Sequence, residues 1–154
     1  MANYESTLIS NYFETKNNEK VLEVLLNLGF EETYIDKKQN KISIASYEAT
    51  IDDSMYVVFN KQDEVVATYN DWTYEELNPE ILNALEDEND NTYSVLNIYE
   101  YLQSMLVENE TIQVKEVGNE KLRYNSACGL VITKKDYKWF NLDSIMEEYA
   151  EKNK

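Results

Sequence analysis

An α+β fold in one domain, mainly antiparallel sheet with about four to five helices, is what this chain predicts, and three observations carry it. Apolar residues recur at helical spacing in stretches near both ends, as in Val21, Leu22, Leu25, Leu26 and Leu28 and again in Leu142, Ile145, Met146 and Tyr149. Short β-rich runs such as MYVVF and EVVATY lie between them, bounded by turn residues. These runs follow one another at hairpin distance instead of alternating with helices, which favours antiparallel pairing over βαβ units. At 154 residues and 43% hydrophobic, the chain is long enough for one ordinary core, so a single domain over residues 1–154 is expected.

In order along the chain, Tyr4, Leu8, Ile9, Tyr12 and Phe13 fit a first helix with Asn3 as its N-cap. A second helix carries the Val21 to Leu28 stripe and stops at Gly29, with Phe30 as the hydrophobic residue after it. TYI and KISIASY then read as strands, and MYVVF and EVVATY as a hairpin across NKQD. Thr73 and Glu76 have capping-box spacing, and Asn78-Pro79 starts a further short helix with Ile81, Leu82 and Leu85 inward. Val95, Leu96, Tyr99, Leu102 and Leu106 predict the longest helix, roughly residues 93–107, with Tyr101 on its outer face. TIQVKEV and KLRYN flank a predicted Gly118-Asn119 turn, and CGLVIT is another strand. In KKDYKWF three lysines guard a strand edge. Asn141 caps a final helix whose polar side carries Asp143, Glu147 and Glu151 at i, i+4, i+8.

Several chemistries have no residues to run on. The chain has no His, which removes the commonest general base, every Ser-His or Cys-His pair and the usual zinc sites. Its three glycines are too scattered for a phosphate-cradling loop. Cys128 stands alone, so no internal disulfide forms, in keeping with a reducing compartment. Aligning Asp87, Asn89 and Asn91 with a Ca²⁺ loop puts Thr92 where that loop needs Gly and Ile98 where it needs a bidentate Glu. The expectation is therefore a protein that is not an enzyme and uses no metal or cofactor. MANYESTLIS has neither a basic n-region nor an apolar h-region, and no apolar run approaches the roughly 18 residues of a membrane span. A cytoplasmic protein with no membrane partner is expected.

The charge is unevenly spread. Residues 62–114 hold 13 carboxylates and no Lys or Arg, whereas the other 101 residues hold 17 acids against 14 bases. A net charge of −16 exceeds the magnitude of about 2 to 8 that suffices for solubility, and the excess costs self-repulsion in the folded state. Such a surface suits a basic partner, and strongly basic clefts are commonly those that hold nucleic acid. Glu75, Glu76 and Glu80, the tip at Glu86, Asp87, Glu88 and Asp90, and the row Asp143, Glu147 and Glu151 are the candidate phosphate substitutes. Trp72, Tyr74 and Tyr101 are the candidate anchors, since Trp and Tyr dominate interface hot spots. In charge and size the chain resembles the small acidic proteins by which phages disable host nucleases, restriction enzymes or CRISPR effectors. The likeness implies a nucleic-acid mimic that blocks such a partner and does not itself bind nucleic acid. An immunity protein against a basic nuclease toxin, or an adaptor indifferent to charge, are the alternatives.

Overall fold

The computed structural model describes residues 4–120 and 124–154. It is a mixed α/β structure whose elements run β1 (Tyr4–Ser10), α1 (Asn18–Asn27), β2 (Tyr34–Asp36), β3 (Lys41–Ser43), β4 (Ala45–Ser46), β5 (Met55–Phe59), β6 (Val65–Asn70), a 3-10 turn (Tyr74–Glu76), α2 (Pro79–Glu86), β7 (Ser94–Asn97), α3 (Ile98–Met105), β8 (Ile112–Glu120), β9 (Tyr124–Ile132), β10 (Tyr137–Asn141) and α4 (Leu142–Lys152). Among the described residues there are four α-helices, and every strand pair is antiparallel. No described helix is long and apolar enough to cross a membrane.

The chain divides into two units, one made of Met1–Thr50 and Gln103–Lys154, the other of Ile51–Leu102. The first is built on a five-stranded sheet in the order β10-β9-β8-β1-β4, with β2 and β3 forming a separate ribbon. Leu8, Ile112, Val114, Leu130 and Ile132 are buried on one face of that sheet. α1 begins where the Asn17 side chain accepts a hydrogen bond from the Lys20 amide. It ends as its sequence predicts. Gly29 sits at φ +102°, its amide donates to Leu26 at 3.1 Å, and the Phe30 amide donates to Leu25 at 3.0 Å. This pair of bonds satisfies two of the helix's last carbonyls and turns Phe30 into the core. KKDYKWF supplies β10, which is an edge strand, and Lys138 Nζ lies 5.2 Å from the Phe140 ring centroid.

The second unit is built on the three-stranded sheet β6-β5-β7 and on α2. The predicted hairpin of β5 and β6 forms, and Asn60 closes it by accepting from the amides of Gln62 and Glu64, both at 3.0 Å. The Asn78 side chain accepts from the Glu80 amide at 2.9 Å, with Pro79 at the first helical position.

Three expectations are overturned. Residues 4–10 form a strand and not a helix: β1 pairs with β8 from Tyr4↔Glu120 to Ser10↔Val114, which buries Leu8 and leaves Ile9 in solvent. Helical spacing at positions 8, 9, 12 and 13 competed with a period of two, and the long-range partner decided between them. Residues 94–97 also become a strand, because Val57↔Leu96 and Val58↔Val95 complete the inserted sheet. The helix starts only at Ile98, where Asn97 accepts from the Glu100 amide at 2.9 Å. Gly118 and Asn119 are not a turn, since both lie inside β8, opposite Ser126 and Asn125. The first residues of KLRYN, at 121–123, and the proposed cap Asn3 lie outside the described residues.

Candidate functional site

Within the unit Ile51–Leu102, one continuous segment gathers most of the predicted site residues. It starts where β6 ends. Asn70 Oδ1 accepts from the amides of Trp72 at 2.9 Å and Thr73 at 3.1 Å, and Thr73 Oγ1 accepts from the Asn70 amide at 2.9 Å. This reciprocal Asx turn consumes the Thr73 hydroxyl, so the predicted capping box does not form and the 3-10 turn has no side-chain cap. The turn leaves Trp72 91% exposed. Two residues on, Tyr74 folds back and its ring packs 5.2 Å from Tyr69, which stacks on Tyr56 at 5.0 Å. Burial, then the phenols of Tyr56 and Tyr74 and the carboxylate of Asp71, push the Tyr69 phenol above its ordinary value. Tyr74 is thus half-buried in a stack, while Trp72 stands free of one.

The carboxylates that follow Trp72 in the chain lie in water. Glu75, Glu76 and Glu80 are exposed, and Glu80 lies in the first turn of α2, where the helix dipole favours a negative charge. The acidic tip is an ordered loop. Asp87 Oδ1 accepts from the Asn89 amide at 3.0 Å, and Asp90 Oδ1 accepts from the Thr92 amide at 2.9 Å and the Thr92 hydroxyl at 2.5 Å. The Thr92 hydroxyl and amide, with a smaller contribution from Lys61, hold the Asp90 carboxyl below its ordinary range. Asp87 and Asp90 therefore shape the loop, and Glu86 and Glu88 extend from it exposed. Among the described residues, none of these four acids makes an ion pair. Of the 13 carboxylates in residues 62–114, Glu110 does so, with Lys41 at 3.5 Å.

Two predicted groups fall elsewhere. Tyr101 is not on an outer face: it is 1% exposed, with its ring 6.0 Å from Phe59. α3 buries Tyr101 together with Ile98, Tyr99 and Leu102, which removes it from any accessible surface. Asp143, Glu147 and Glu151 lie exposed along α4, in the other unit, and Lys154 pairs with Glu151 at 2.6 Å. Lys152 pairs with Glu148 at 3.3 Å. Among the described residues no three Asp, Glu or Cys side chains converge as metal ligands would. Reading the sequence overlooked Asn70 and Asp71, although Asn-Asp-Trp-Thr carries the residues of an Asx turn. The chain matches no protein-family model, no curated protein and no solved structure, so the chemistry of this surface rests on its own residues.

Proposed function

We propose that the protein is a non-enzymatic cytoplasmic inhibitor that occupies the basic nucleic-acid-binding cleft of a partner protein, such as a nuclease or a restriction or CRISPR effector. The observation that supports this reading is Trp72, 91% exposed and flanked in sequence by carboxylates that make no ion pair among the described residues. An isolated Trp left in water forgoes a large hydrophobic gain that a partner can supply. The unpaired acids around it steer a basic surface toward it. Spacing is compatible with a phosphate substitute: acids at i, i+4 on a helix advance about 6 Å, against about 3.4 Å per phosphate along one DNA strand, so a helical row needs a loop or second row beside it. In this reading Glu75, Glu76 and Glu80 act together with the tip at Glu86, Asp87, Glu88 and Asp90, and the row Asp143, Glu147 and Glu151 is a second source of charge.

The test is competition for labelled nucleic acid on candidate basic partners at two salt concentrations. Wild type should displace the nucleic acid competitively, without binding it directly. Changing Glu86, Asp87, Glu88 and Asp90 together to Gln or Asn should slow association and flatten its salt dependence. An unchanged association rate would make the tip a solvated loop only, and simultaneous binding of both ligands would remove mimicry. A partner that proves to be a cognate toxin would identify an immunity protein.

A further inference from the structure

β6 is an edge strand of the inserted sheet, whose order is β6-β5-β7. Its last residue shows which of its backbone groups face outward. The Asn70 amide donates to Thr73 Oγ1 at 2.9 Å and the Asn70 carbonyl accepts from the Thr73 amide at 3.1 Å, so both turn away from Met55 opposite. In an antiparallel pair, bonded and unbonded positions alternate. Tyr69 and Ala67 therefore bond inward to Tyr56 and Val58, while the amide and carbonyl of Thr68 point out of the sheet edge. Among the described residues no further strand pairs with this side of β6. Val66, beyond Ala67, is skipped by the register, which passes from Val58↔Ala67 to Phe59↔Val65, and it is 39% exposed. Protein edges of this kind are commonly guarded by lysine or proline, as β10 is by Lys138. VVATYN contains neither.

We propose that β6 receives an extended segment of a basic partner protein, which adds a fourth strand to the inserted sheet through the Thr68 amide and carbonyl and carries Lys or Arg at its ends. Charge complementarity selects that occupant. Asp63 and Glu64 precede β6 and Asp71 follows it, all three exposed. The inserted unit as a whole holds 13 carboxylates and one base, Lys61, and that lysine acts on the Asp90 carboxyl. A second copy paired edge to edge in antiparallel fashion would set the Glu64 end of one β6 against the Asp71 end of the other, acid against acid, and an anionic membrane surface would be repelled as well. When a strand joins an open edge, main-chain bonds supply affinity and the side chains select the partner. Only the basic character of the partner is shared with the mimicry reading, and the edge serves it whether or not the acids replace phosphates.

The probe is a fluorescently labelled peptide about eight residues long, with an alternating Val and Thr core and Lys at both ends, titrated by anisotropy against the full chain at physiological salt. The same peptide N-methylated on its core amides keeps the charge and loses the donors. The plain peptide should bind saturably and at least about tenfold more tightly than the methylated one, and at least about tenfold more tightly than a counterpart with Glu in place of Lys. In the free wild-type chain the Thr68 amide should exchange with solvent faster than those of Ala67 and Tyr69, and saturation with the plain peptide should slow it to their rate. Thr68→Pro removes the outward donor without removing an inward bond and should weaken the plain peptide about tenfold with circular dichroism unaltered. If that variant fails to fold, the exchange measurement on wild type still decides the matter. Equal binding of the plain and methylated peptides, a Thr68 amide already protected in the free chain, or undiminished binding by folded Thr68→Pro would overturn the proposal. So would equal binding of the Glu peptide, or a concentration-dependent dimer in sedimentation that Thr68→Pro abolishes, since the occupant would then be a second copy. Because no nucleic acid enters the assay, failure of the mimicry reading would leave its result untouched.

Discussion

Trp72 and Tyr101 are large aromatic residues less than thirty positions apart, and their substitution by alanine should have opposite consequences. Trp72 is held outward by the amide of its own turn and contributes almost nothing to the core. Trp72→Ala should therefore change stability by less than about 0.5 kcal/mol, while accelerating dissociation from the basic partner. Tyr101 is buried with its ring near Phe59, and Tyr101→Ala should cost about 3–5 kcal/mol, as for other large buried aromatics. Chemical denaturation of both variants, beside dissociation rates for the first, separates the two cases. Sequence alone ranked these residues together, because residue type and surrounding acidity were all it offered. What distinguished them was tertiary packing, which buries Tyr101 on the inner side of α3 and leaves the Asn70 turn holding Trp72 in solvent.

At the scale of elements, local signals were legible wherever the deciding bonds are local. α1 with its Gly29 stop, the β5 and β6 hairpin, the Asn78-Pro79 start of α2 and the Asn141 cap of α4 each depend on residues within a few positions. Gly29 offers the sharpest test. At φ +102° an L side chain is strained, whereas its Cβ would meet Ala49 at an ordinary 3.9 Å, so backbone conformation and not space sets the cost. Gly29→Ala should destabilise by about 1–2 kcal/mol, seen as a lower denaturation midpoint with no change in the slope. β1 and β7 were illegible for the complementary reason. Their partners lie far along the chain, and a short apolar run is compatible with either period until a partner chooses. The Thr73–Glu76 spacing misled in a third way, since the Asn70 turn offered the hydroxyl a better bond.

Over the whole molecule, net charge and its concentration in residues 62–114 were readable in full, because counting needs no geometry. The solvent face of the five-stranded sheet was not. Ile9 read as part of a helix and Val117 as the end of a strand, yet both are exposed on that face, because an apolar residue does not declare which of two sheet faces it will join. The outcome is a molecule with two surfaces of different character. One exposed indole and the exposed carboxylates that follow it in the chain belong to the inserted unit. The outer face of the five-stranded sheet, on which Ile9 and Val117 are exposed, belongs to the other.

The insertion of residues 51–102 between the two parts of the first unit also sets a timetable for synthesis. β1 is made about a hundred residues before its partner β8. At the usual pace of about 5–20 residues per second, translation keeps one edge of β1 open for roughly 5–20 s. The inserted unit draws all three of its strands from one uninterrupted segment, so it is complete while the sheet that brackets it still lacks its middle. Ribosome-bound chains arrested with residue 110 just past the exit tunnel should show the inserted unit resistant to protease and residues 4–10 still cleavable, whereas protection of both at once would mean that the order of synthesis leaves no trace in the order of folding.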